Sequence, residues 1–169
     1  MSKTILFFAS LFILLTIAQA LVFNQICLFG VALPLVFIYF IIKMPMSWPT
    51  TVCLILAFLL GLSIDILSNT QGLNALCCTL LASCRRPILR LYFPREEEMS
   101  EPEPSSKSIG LAEYLKYSFT LTFLYCILFF VIESLTFFDF FRLIIKIIAS
   151  TILSYLFILA LDSLSRRKQ

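Results

Sequence analysis

Long apolar runs separated by short polar interruptions dominate this chain, and no stretch alternates apolar and polar residues with period two. That pattern predicts membrane-crossing helices and argues against a transmembrane barrel, whose strands need the alternation. Six apolar segments stand out. The first, residues 4–23, is broken only by Ser10, Thr16 and Gln19 and ends at the short turn Asn24-Gln25. The second, residues 26–42, contains Gly30 and Pro34, and the proline predicts a kink. Residues 43–48 form a polar break carrying a tryptophan suited to a membrane interface. The third segment, residues 49–67, opens on Pro49, which a first helical turn tolerates because its amide would have no partner there. Ser68-Asn69-Thr70-Gln71-Gly72 is turn chemistry. The fourth segment is apolar over residues 73–84, then meets Arg85, Arg86 and Pro87 and becomes more amphipathic over 88–93. The fifth covers residues 111–132. A phenylalanine-rich turn over 133–139 leads to the sixth, residues 143–161, and to the basic tail Arg166-Arg167-Lys168.

Between the fourth and fifth segments lies the one hydrophilic stretch, residues 94–108, rich in Glu, Ser and Pro. It has no apolar surface to bury and is expected to be a disordered cytoplasmic loop, acting as a solvated linker or as a docking segment for a cytoplasmic partner. The expected organisation is a single six-helix transmembrane domain over residues 1–169 with this loop inside it.

Charge decides whether the fourth segment crosses, because its twelve apolar residues reach only about 18 Å. With six spans and the N-terminus inside, Lys3, Lys43, Arg85, Arg86, Arg90, Arg95, Lys107, Lys116, Arg166, Arg167 and Lys168 all lie on the inner side. Only Arg142 and Lys146 lie toward the outer side, a strong positive-inside bias. The expected topology is therefore six crossings of a membrane with both termini cytoplasmic. Lys3 followed by an apolar stretch and Ala18-Gln19-Ala20 resembles a signal peptide. The apolar run continues past that point to Phe23, which favours a retained first helix.

Composition narrows the chemistry. Sixty percent of the 169 residues are apolar and 14% charged, where water-soluble domains carry about 25% charged. Histidine is absent, which excludes imidazole acid–base catalysis and histidine metal ligands. The four glycines form no phosphate-binding loop, and the six cysteines lie scattered in apolar runs, where they act as small hydrophobes. No cofactor, metal or nucleic acid is expected, and the net charge of +3 reads as membrane topology.

Asp65 is the acidic residue that falls inside an apolar segment. Ala57, Gly61 and Asp65 are spaced i, i+4, i+8 and share one helix face, whose small residues let a neighbouring helix approach closely. The turn after Ser68 folds the fourth helix back on the third. A carboxylate at 65 is then placed to accept hydrogen bonds from free amides at the start of the next helix. A structural clasp is the expectation; a proton, ligand or partner site is the alternative. Ser150 and Ser154 share a face of the sixth helix and are suited to close packing or hydrogen bonding.

The stretch Gly61-Leu-Ser-Ile-Asp65-Ile-Leu-Ser-Asn-Thr-Gln-Gly72-Leu-Asn74-Ala-Leu resembles the signature of the bacterial rod shape-determining MreD family. That family carries a glycine, an aspartate one turn later, and a Gly-x-His/Asn-Ala turn opening the next helix, with Asn74 here at the position where histidine is commoner. The resemblance implies a non-enzymatic scaffold of the cell-wall elongation complex, located in the bacterial cytoplasmic membrane. It implies binding to an MreC-like protein and, through the complex, to MreB, RodA and a penicillin-binding transpeptidase. It also implies a fold similar to the substrate-binding subunits of energy-coupling-factor transporters. A small-molecule-binding subunit of that transporter type is the alternative function. Its usual Ala-x-x-x-Ala is missing from the first helix, where Ile13 follows Ala9.

Overall fold

A computed structural model of the chain describes residues 2–23, 33–92, 110–134 and 140–166. Among the described residues every regular element is helical: α1 (Ser2–Ala18), which runs on into a π-helical turn (Gln19–Phe23), α2 (Ile38–Lys43), α3 (Thr50–Ser68), α4 (Leu73–Tyr92), α5 (Leu111–Glu133) and α6 (Phe140–Arg166). Three of them, α3, α5 and the 141–164 stretch of α6, are long and apolar enough to cross a membrane by length and composition. The hydrophilic loop expected at 94–108 lies outside the described residues.

α3 packs along α4, α4 along α5, and α5 along α6, while α2 sits against α1, α4 and α5. The core is built from one face of each helix: Ala57, Leu60 and Ile64 of α3, Cys77, Cys78 and Leu81 of α4, and Leu121, Tyr125 and Phe129 of α5. Phe37 and Phe40 from the α2 region fill its centre. The outward faces are apolar too. Ile55, Phe58 and Ile66 of α3 and Ile144, Ile148, Ile152 and Leu156 of α6 are all exposed. A surface of this kind is inverted relative to a soluble bundle, whose outer faces are polar, and fits contact with lipid. Cys53, Cys77, Cys78 and Cys126 are buried free thiols.

Two features depart from the sequence pattern. The second apolar segment is not one kinked helix. Residues 33–37 are non-helical and only Ile38–Lys43 is α-helix. Pro34 removes an amide and disfavours helix at the residue before it. α2 begins after this stretch, with Tyr39 N–H on the Val36 carbonyl and Phe40 N–H on that of Phe37. The fourth segment, by contrast, is one continuous helix through Arg85, Arg86 and Pro87. The expected polar break at 43–48 is drawn inward, with Lys43 and Met44 buried. The inward turn has a cause: the carbonyls of residues 44–48 need donors, and the two arginines of α4 supply them. Arg85 Nη2 donates to the Met44 carbonyl, and Arg86 Nη2 donates to those of Met46 at 3.2 Å and Trp48 at 2.7 Å.

Candidate functional site

α3 ends at Ser68, where Asn69 turns left-handed with φ 54°. The N–H groups of Asn69 and Thr70 both donate to the Asp65 carbonyl, closing the helix. The chain reverses through Gly72, whose φ of +79° is a conformation glycine adopts without strain. The Gly72 carbonyl accepts the first helical bond of α4, from Leu76 N–H at 3.1 Å, so glycine occupies the N-cap position. Glycine has no side chain with which to cap the free amides that follow.

Asp65 supplies that cap from the neighbouring helix. Its Oδ2 accepts Ala75 N–H at 2.8 Å, and its Oδ1 accepts Asn74 N–H at 3.1 Å and Asn74 Nδ2 at 2.9 Å. The Thr70 hydroxyl also donates to Oδ1. Asn74 extends the network to a third helix, its Oδ1 accepting the Tyr125 hydroxyl of α5 at 2.8 Å. Asp65 is 3% exposed and Asn74 4%, so this network lies inside the bundle. A buried carboxylate at a helix N-terminus is favoured both by these bonds and by the helix dipole.

Gly61 makes the approach possible. A Cβ at this position would lie 2.5 Å from both the Ala75 Cα and the Asn74 carbonyl oxygen. These are backbone atoms, so any side chain at 61 must push the helices apart. Gly61, Asp65, Gly72 and Asn74 thus meet at one crossing. Ala57 lies on the same face of α3, fully buried, but takes no part in the hydrogen bonding. Thr70 and Tyr125 belong to the site without a signal in the motif, since a turn threonine and a tyrosine on a distant apolar helix look ordinary in sequence.

A second polar cluster gathers around Lys43. Its Nζ is 3.0 Å from Asp162 Oδ1, and the Tyr114 hydroxyl donates to the same oxygen at 3.1 Å. The ammonium also lies 5.5 Å from the Tyr114 ring centroid and 5.9 Å from that of Tyr39. Asp162 is thus a second buried acid besides Asp65, and one with a cationic partner. Asp162 falls just past the apolar run 143–161, yet α6 continues to Arg166 and buries it to 1% exposure. Arg85, also 1% exposed, donates through Nε to the Tyr117 hydroxyl at 3.2 Å.

A third polar site holds residues 33–36. Ser150 Oγ accepts Leu33 N–H at 3.0 Å and Ser154 Oγ accepts Leu35 N–H at 2.8 Å. Gln19, in the π-helical turn, donates from Nε2 to the Pro34 carbonyl and accepts Val36 N–H on Oε1. One side-chain amide here pairs with the main chain as a strand would.

Both Asp65 oxygens are engaged by protein donors, as are both oxygens of the 33–36 segment's serine partners. Among the described residues no group of three or more His, Cys, Asp or Glu side chains is placed to hold a metal ion. No family model, curated protein or solved structure matches the chain.

Proposed function

We propose that the protein is a non-enzymatic membrane scaffold of the MreD type, working by helix packing inside the bilayer and binding an MreC-like partner. One observation supports this most. The polar groups of the Gly61–Asn74 motif are engaged with one another, holding α3, α4 and α5 in register, with both oxygens of the one motif carboxylate bonded to protein donors. Polar side chains used in this way build a rigid surface for a partner. In this reading the chain crosses a bacterial cytoplasmic membrane six times with both termini inside, and reaches MreB, RodA and a penicillin-binding transpeptidase through the complex. Co-purification tests it: the full chain, solubilised in mild detergent, is expected to retain an MreC-like protein from the same cell. Failure to retain it at physiological expression removes the scaffold role.

The non-helical stretch at 33–37 favours a second reading, a small-molecule-binding subunit of the energy-coupling-factor type. Irregular backbone within membrane proteins is often found where it lines a cavity or substrate path. Retention of a small metabolite in place of a protein partner would favour that alternative.

A further inference from the structure

The chain from Leu33 to Lys43 meets the inner face of α6 at three polar contacts, and their order is the same along both. Ser150 holds the Leu33 amide, Ser154 holds the Leu35 amide, and Asp162 holds Lys43. Ser150, Ser154, Ile158 and Asp162 follow one another at i+4 and are all buried, so a single stripe of α6 faces the segment. From Ser150 to Asp162 that stripe rises about 18 Å. The two stretches therefore run side by side in the same direction.

Two serine hydroxyls do not fix such an alignment. A slip of α6 by one turn in either direction still brings a serine to one of the two amides, Ser154 to Leu33 or Ser150 to Leu35. Each slipped alignment gives up one neutral hydrogen bond, whose net worth is small. The ion pair separates the alignments far more sharply. Asp162 is the one acidic residue of the 140–166 stretch, so either slip carries Lys43 away from its carboxylate and strands two buried charges. In one of the two slips Ile158 takes the place of Asp162. Lys43 is 8% exposed, with its ammonium against the rings of Tyr39 and Tyr114, so water does not replace the lost partner. A buried ion pair adds little to stability over an apolar pair, and its best use is to select one packing from several.

We propose that the Lys43–Asp162 pair is a register lock, which selects one alignment of α6 along residues 33–43 from those that the two serines alone accept. The lock sets the height at which Ile144, Ile148, Ile152 and Leu156 face outward, and with it the surface that α6 offers to its surroundings. It operates whether or not an MreC-like protein binds.

Hydrogen exchange of the full chain in detergent, resolved to single amides, tests it. The variant is Lys43→Met with Asp162→Asn, which removes both charges and keeps an oxygen for the Tyr114 hydroxyl. It is expected to keep the wild-type melting temperature, while the Leu33 and Leu35 amides exchange about fivefold faster, the effect of one main-chain hydrogen bond. The Val36 amide, held by Gln19 and not by α6, is expected to exchange as in the wild type. Unchanged rates at Leu33 and Leu35 overturn the inference, because the serines then suffice to fix the alignment. Equal acceleration at all three amides overturns it too, since the segment is then leaving the bundle whole. If the double variant does not fold, Lys43→Leu with Asp162→Asn carries the same comparison. Failure of both to fold shows that the pair holds the fold itself and also overturns the inference.

Discussion

The α3–α4 turn and the 33–36 segment confront the same difficulty, main-chain amides without helical partners inside an apolar bundle, and they resolve it differently. At the turn one charged side chain does most of the work, and every donor it accepts lies within ten residues of it. At 33–36 three neutral side chains share the task, and two of them come from α6, 117 and 119 residues away along the chain. A local clasp forms as soon as its two helices meet. A distributed one forms only when α1 and α6 have both closed on the segment between them. The first is a hairpin's own property, the second a property of the finished bundle.

Substitutions can break this contrast or sharpen it. The largest effect is expected from Gly61→Leu, since even its Cβ would lie 2.5 Å from α4 main chain. Loss of accumulated folded protein, followed by fluorescence-detected gel filtration, is the outcome expected of a crossing with no slack. A folded Gly61→Leu protein of normal stability would show that the two helices separate freely.

Asp65→Leu comes next. It removes the acceptor of two main-chain amides and of the Thr70 hydroxyl, at about 1–3 kcal/mol for each donor left unpaired, while the Asn74 side-chain amide keeps only the Thr70 oxygen. A loss on the order of 5 kcal/mol is expected in thermal unfolding in detergent. Asp65→Asn keeps one oxygen but turns an NH2 group toward a main-chain N–H, so a smaller loss of about 2 kcal/mol is expected. A fully stable Asp65→Asn protein that no longer supports function would instead assign the carboxylate a chemical role.

The smallest effects belong to the distributed site. Ser154→Ala leaves the Leu35 amide unpaired and is expected to cost about 1–2 kcal/mol. Ser150→Ala is expected to cost less, because Leu33 is only half-buried and its amide can find water. The double variant should add the two losses, measured in the same detergent melts, since each serine serves a separate amide. Losses far above additive would mean that the segment leaves the bundle as a unit.

The clasp is legible in sequence because nearly all of it falls between Gly61 and Ala75, where helix periodicity fixes which residues share a face. The 33–36 segment is not, because a proline in an apolar run signals a kink and says nothing of which distant hydroxyls will receive the freed amides. Ser150 and Ser154 are recognisable as a polar face on α6, but their acceptor role depends on what packs against them. The Lys43–Asp162 pair is hidden for another reason. Each residue sits at the end of an apolar run, where sequence reads charge as solvated. Only the extension of α6 past residue 161 and the inward pull of Arg85 on the Met44 carbonyl bury them. Overall helicity and the boundaries of α3 and α5 follow from pattern alone, because those helices are long and uniformly apolar.

The separation between Leu33 and Ser150 also sets a schedule. A ribosome adding about 5–20 residues per second needs roughly 6–23 s to make the 117 residues between them. Throughout that interval the Leu33 and Leu35 amides have no native acceptor on α6, while the α3–α4 hairpin can already be closed. Until α6 is made, the 33–36 segment has only Gln19 of these three side chains to pair with, and a chain that stops short of α6 carries that defect permanently.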